Sequence, residues 1–171
     1  MARNIVLTGP MGCGKTSVGN LLAARLGWEF VDLDALIVKR SGKSINAIFR
    51  DDGEAAFRRL EQDRLRELVG RERMVLSTGG GAVIDPENRR LMRLIGVIVN
   101  LTASMEELAA RLSAADDRPL LQGAESRLAK IGRLMKEREQ FYVDSDIRID
   151  TVAKSVEDVA AEVLEQLPKG H

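Results

Sequence analysis

The run Gly9-Pro10-Met11-Gly12-Cys13-Gly14-Lys15-Thr16 carries residue types able to hold a phosphate. Glycines let successive backbone N–H groups turn inward into an anion-binding nest. A helix expected to begin near Lys15 points its positive end at the same spot. In the pattern G-x-x-x-x-G-K-[ST], the lysine reaches the β- and γ-phosphates of a nucleotide, and the hydroxyl that follows ligates Mg²⁺. Gly12, Cys13, Gly14, Lys15, Thr16 and the adjoining Ser17 are therefore candidate nucleotide contacts, with Thr16 a candidate metal ligand. A glycine-rich strand–helix joint would have the same composition. The apolar strand expected at Asn4–Thr8 and the amphipathic helix expected at Lys15–Leu26 supply the context that favours a phosphate site.

Two further groups sit where strands are expected to end. Phe30-Val31-Asp32-Leu33-Asp34 places two carboxylates two residues apart. One can order a metal-bound water, and the other can accept hydrogen bonds from a substrate hydroxyl and act as its base. Capping of the next helix by Asp32, with Asp34 on the first turn, explains the pair equally well. Ser77-Thr78-Gly79-Gly80-Gly81-Ala82 contains consecutive glycines, which suit backbone that must approach a ligand closely or present N–H groups to it, or a flexible turn. The apolar runs at Met74–Ser77 and 97–101 lack the terminal Asp that a motor or GTPase would place there, and no guanine-reading Asn-Lys-x-Asp element occurs.

These loops need elements to position them. Short β-branched runs at 4–8, 28–31, 74–77, 96–101 and 147–149 alternate with helical periodicity at 15–26, 33–40, 44–49, 53–69, 104–112, 125–141 and 155–167. Asp85-Pro86 reads as a helix start, and Ser155 to Asp158 as a capping box. Strands separated by helices predict an α/β fold: a five-stranded parallel sheet flanked by helices on both faces. Ligands of such sheets bind at the carboxyl ends of the strands. The polar stretch 114–123, with Asp116, Asp117, Pro119 and Gly123, reads as a loop.

A length of 171 residues suits a single domain, 1–171. Lys+Arg and Asp+Glu both number 26 and aromatic residues make up 4%, which argues against a nucleic-acid partner. The first eight residues are too poor in apolar side chains for a signal peptide, and no run approaches the roughly 18 apolar residues of a membrane span. The expectation is a cytoplasmic protein with no membrane partner, monomeric in the absence of an interface stripe. The single cysteine, Cys13, excludes an intramolecular disulfide. Either any small residue fits its position, or Lys15 and a helix N-terminus depress its thiol pKa and make it alkylatable under ATP protection. The single histidine, His171, reads as part of a disordered end.

Taken in order, these motifs resemble shikimate kinase, and the resemblance extends over essentially all 171 residues. It is carried by the loop 9–16, Asp32/Asp34, Gly53-Glu54-Ala55-Ala56-Phe57-Arg58-Arg59-Leu60-Glu61, Gly79-Gly80-Gly81, Arg118-Pro119-Leu120-Leu121, and Arg138 before Phe141-Tyr142. The resemblance implies a P-loop kinase fold with a substrate-binding helical region at about 33–61 and a mobile lid at about 112–124. It implies ATP-dependent phosphorylation of a shikimate hydroxyl to shikimate 3-phosphate and ADP, in aromatic amino-acid biosynthesis, with Mg²⁺.

By that resemblance Arg58 and Arg138 pair with the substrate carboxylate, for which a planar guanidinium fork is suited. Asp34 binds the ring hydroxyls and takes a proton, while Gly80 and Gly81 offer backbone N–H groups. Asp32 joins Thr16 at the magnesium shell. Lys15 and the lid residue Arg118 stabilise the transferring phosphoryl group. Arg111 lies against adenine or is a solvated helix charge, and 153–155 border adenine without a firm motif. Phe49 and Phe57 pack the substrate pocket or are plain core. Another small-polyol kinase, such as a gluconate kinase, remains the alternative. An ATP-binding module without turnover would be marked by loss of Lys15, Thr16, Asp34 or Arg118, and all four are present.

Overall fold

The computed structural model describes residues 3–112 and 126–169. Strands β1 (Asn4–Thr8), β2 (Glu29–Asp32), β3 (Met74–Ser77), β4 (Gly96–Thr102) and β5 (Ile147–Asp150) form one sheet in the order β2-β3-β1-β4-β5. Every pairing is parallel. Helices α1 (Lys15–Leu26), α2 (Leu33–Ser41), α3 (Ile45–Asp51), α4 (Glu54–Leu68), α5 (Pro86–Ile95), α6 (Met105–Leu112), α7 (Arg127–Tyr142) and α8 (Val156–Gln166) surround it. The α/β expectation holds, and the parallel sheet lies between two apolar layers.

The period of two along each strand divides the core. Ile5, Leu7, Val75, Val97, Val99 and Leu101 face one cluster, closed by Val18 and Leu22 of α1 and Val159 and Val163 of α8. Val6, Met74, Leu76 and Ile98 face the other, closed by Ile37 of α2, Ile48 of α3, Leu65 of α4 and Met92 of α5. β1 is buried along its whole length, as expected for a central strand covered on both faces.

Helix starts follow the expected chemistry. Asp32 accepts from Ala35 N at 3.0 Å, Ser44 from Ala47 N at 3.1 Å, and Asp85 from Glu87 N at 2.8 Å ahead of Pro86. Ser155 and Asp158 complete a capping box for α8. Each cap satisfies backbone donors that a helix leaves unpaired at its first turn.

Two features differ from the sequence expectation. β2 is shifted by one residue, so Asp32 both closes the strand, opposite Ser77 of β3, and caps α2. The glycine run leads into a short 3₁₀ turn, Ala82–Ile84, rather than into an open loop. The expected lid lies, from residue 113 on, outside the described residues, and so do Arg118 and His171.

The order of strands places β1 at the centre, flanked by β3 and β4. Loops leaving β1, β2, β3 and β5 therefore converge on one edge of the sheet, the carboxyl-end crevice where ligands of open α/β sheets bind.

Candidate active site

The loop after β1 is shaped by backbone demands. Gly14, at φ 96°, is the N-cap of α1, in the left-handed region that side chains avoid. Gly9, at φ 141°, lies so close to the Leu101 carbonyl that a β-carbon would overlap it. Lys15 Nζ donates to Gly9 O at 2.6 Å and Pro10 O at 3.0 Å, which holds its ammonium against the loop.

A cavity of about 450 Å³ opens beside this loop, within the size range of small-ligand sites. Gly12, Cys13, Gly14, Lys15, Thr16 and Ser17 all line it, together with Asp32 and Asp34. Arg111 lines it as well, reaching from α6 to donate to Gly12 O at 3.0 Å while pairing with Glu107. Thr151, Lys154, Ser155 and Val156 from the β5–α8 connection complete its lining. Ala153 in that connection sits at φ 57°.

Thr16 and Asp32 share the cavity, and Asp32 commits one oxygen to the α2 cap. Among the described residues no group of three or more His, Cys, Asp or Glu side chains could form a metal cage. A hydroxyl and a carboxylate beside a phosphate loop are the sparse oxygen set that Mg²⁺ uses when phosphates complete its shell. These residues therefore fit the metal.

Burial separates the two readings left open for Cys13. Its side chain is 1% exposed and packs in the core under Gly9. The thiol is not presented to solvent, so the reactive-cysteine reading fails on access, and the small-residue reading stands.

A second pocket, of about 60 Å³, adjoins the first. Its walls include Ile45, Phe49, Phe57, Arg58 and Glu61, and it shares Met11, Asp34, Gly79 and Gly80 with the larger cavity. Phe49 and Phe57 pack with ring centroids 4.9 Å apart and planes tilted by 41°, so they are at once core and pocket wall.

The glycine run explains how three distant side chains reach this wall. A β-carbon on Gly79 would sit 3.1 Å from Asp34 Oδ1, and one on Gly80 would sit 3.4 Å from Arg138 Nη1. One on Gly81 would press into the Arg58 guanidinium. Side chains from α2, α7 and α4 thus lie directly on glycine backbone. None of the three glycines has positive φ, so what marks the run is close approach rather than turn geometry, tightest at Gly81 and no more than ordinary contact at Gly80.

Arg58 is held by Glu61 at 3.1 and 3.2 Å and by Glu54 at 3.4 Å. Its guanidinium carbon lies 5.2 Å from the Phe57 ring centroid. Arg138 is 5% exposed. Near it, Tyr142 donates its hydroxyl to Gly80 O at 2.6 Å. Burial pushes the Tyr142 phenol up to about 12, so it remains a donor. The structure therefore brings Asp34, Arg58, Arg138, Gly80 and Gly81 together, though Arg138 approaches from a neighbouring lobe lined by Pro10, Met11 and Tyr142.

Sequence reasoning gave Glu61 no role, although it lies within the motif that carries Arg58. It is fully buried, and burial pushes its carboxyl up to about 7 against the pull of Arg58. Asn88 Nδ2 also donates to it, at 3.3 Å. Its one sequence signal was an acid three residues after an arginine on an otherwise inward-facing position. Ser77 and Thr78, which line the large cavity, carried no separable signal.

The family model described as "Shikimate kinase" matches residues 11–168. The chain belongs to the shikimate kinase family. A shikimate kinase of Geobacter metallireducens is 58% identical over 94% of this chain and 89% of its own length. The solved shikimate kinase from Acinetobacter baumannii in complex with shikimate superposes with a TM-score of 0.92 at 38% identity, covering 96% of this chain and 92% of that one. A gluconokinase from Sinorhizobium meliloti reaches a TM-score of 0.54 at 20% identity over 96% of this chain and 91% of its own, a likeness of fold alone. The P-loop kinase fold expected of a shikimate kinase is thus the one observed. Among the described residues no helix is long and apolar enough to cross a membrane.

Proposed function

We propose that the chain transfers the γ-phosphoryl group of ATP to a hydroxyl of shikimate, giving shikimate 3-phosphate and ADP. One observation carries this reading: a phosphate-loop cavity and a smaller, arginine-bearing pocket meet at a common wall of Met11, Asp34, Gly79 and Gly80. Two ligands placed in them would face each other across Asp34. Holding both reactants in register is the main thing phosphoryl transfer asks of a protein.

In this reading the loop 12–17 cradles the ATP phosphates, and Lys15 balances the charge that develops on the transferring group. Thr16 and Asp32 would hold Mg²⁺, which when bound neutralises phosphate charge. Arg111 and the β5–α8 connection line the same cavity and would border the base. Arg58 and Arg138 grip the acceptor carboxylate, and Gly80 and Gly81 offer backbone N–H groups. Asp34 orients the acceptor hydroxyl and accepts its proton. Arg118, placed by its motif alone, reaches the transferring phosphoryl group from a lid at 112–124. We read the protein as one domain, monomeric and cytoplasmic, consistent with its balanced charge and its composition.

The test is ADP release with MgATP and shikimate, gluconate, quinate or nucleoside monophosphates in parallel, repeated with Asp34→Asn. Turnover with shikimate alone is expected. In the variant kcat should fall about 10²–10⁴-fold, the usual contribution of a positioned base. Turnover with gluconate or a nucleotide in place of shikimate would overturn the acceptor.

A further inference from the structure

Glu61 is the one fully buried acid of the acceptor pocket. Both its oxygens lie within 3.2 Å of Arg58 Nη1, so it already draws on the guanidinium charge that a ligand carboxylate would need. Its charged surroundings are Arg58 on its own helix, Asp34 from α2 and Arg138 from α7; α5 contributes only the neutral Asn88. Two arginines thus face one internal carboxylate and, on the reading above, must also serve the carboxylate of the acceptor.

A second carboxylate brought to the same arginines draws their charge away from Glu61 and adds a like charge beside it. Both changes favour the neutral form of a buried acid. Glu61 has a neighbour suited to that form. Asn88 Oδ1 is buried with no protein donor, on the amide whose nitrogen already touches Glu61 and Ala82 O. A proton on Glu61 gives this corner a donor. Burial has already raised the carboxyl to about 7, so the step falls near neutral pH.

We propose that Glu61 and the acceptor's carboxylate compete for Arg58 and Arg138, and that acceptor binding drives a proton from solvent onto Glu61. Acceptor binding is then proton-coupled, and Glu61 is a positioning residue that yields its arginine by becoming neutral. The inference rests on the assignment of the carboxylate site to Arg58 and Arg138.

The test is calorimetric titration of shikimate into the protein in buffers of different ionisation enthalpy, across pH. Proton uptake should rise from near zero at about pH 5.5 to about half a proton or more at about pH 7.5, and the affinity should weaken up to about tenfold between pH 6 and pH 8. Glu61→Gln keeps the shape and the amide contact and should bind with no pH-dependent uptake. Wild-type binding without uptake across this range would overturn the proposal, as would uptake that persists in Glu61→Gln. Absence of any shikimate binding would instead remove the acceptor assignment, and this inference with it.

Discussion

Gly81→Ala isolates the acceptor's carboxylate grip with a single methyl. Gly81 has φ −99° and ψ 0°, a backbone conformation open to alanine, so no strain arises from the main chain. The added carbon would press into Nη2, Nη1 and Cζ of Arg58. Those atoms end a flexible side chain with 22% exposure, so the guanidinium can swing away, at the cost of its contacts with Glu61 and Glu54. Restricting the unfolded chain contributes about 0.4–1 kcal/mol in the opposite direction. The fully buried Glu61 loses its arginine in the process, so the variant should fold but be less stable than the wild type, an effect that protonation of Glu61 softens.

Function should not be spared. Displacement separates Arg58 from Glu61 and from any carboxylate placed against it. A hydrogen bond to a charged group is worth about 1.5–3 kcal/mol, so shikimate KM should rise about 10- to 150-fold. KM for ATP should hold, because the phosphate loop is untouched. Steady-state kinetics with each substrate varied, alongside thermal melting, would read this out. A well-folded variant with unchanged shikimate KM would refute the placement of the carboxylate at Arg58.

Other expectations follow from the same geometry. Lys15→Met should lower kcat by about 10²–10³-fold, the scale of losing one transition-state donor, and should raise KM for ATP by releasing Gly9 O and Pro10 O; an unaltered kcat would exclude Lys15 from the chemistry. Glu61 titrates at about 7 when folded and near 4.5 when unfolded, so the folded state holds the extra proton between those values and loses stability as pH rises through 7. Against Glu61→Gln, which does not titrate, the wild type should lose about 2–3 kcal/mol between pH 5 and pH 8; urea titrations that stay parallel across pH would contradict this. Cys13 should resist iodoacetamide until the protein is unfolded, because its side chain is 1% exposed; stoichiometric labelling of the native protein would contradict the burial.

The phosphate site was legible in the sequence because its chemistry is local: a nest, a lysine and a helix start occupy eight consecutive residues. The strands and caps were legible for the same reason, down to Asp85-Pro86 and the Ser155 capping box. The acceptor pocket was not. Arg58 stands among Arg59, Arg64 and Arg66 on one helix, and only the fold separates the guanidinium lying on Gly81 from the exposed Arg59 and Arg66 and from Arg64, which pairs with Glu67. Family resemblance supplied that choice; periodicity could not. Glu61 escaped notice because a buried acid and a surface acid look alike in sequence, and its character depends on Asn88, Asp34 and Arg138 arriving from other elements. Cys13 misled in the opposite way. Its neighbours suggest an activated thiol, but its side chain turns into the core.

The sheet has a further consequence as a partition. The helix that carries the phosphate loop, α1, is seated on one apolar cluster, while the helices that wall the acceptor pocket, α2, α3 and α4, are seated on the other. Between them stands a rigid, fully paired β1. Besides β1, α7 joins the two halves, with Ile131 in the first cluster and Tyr142 in the second. Drift in the cluster under α4 would loosen the grip on the acid substrate while nucleotide affinity is retained. The acceptor side can thus accumulate change as a semi-independent module, joined to the nucleotide side through α7 and the shared wall at Asp34 and the glycines.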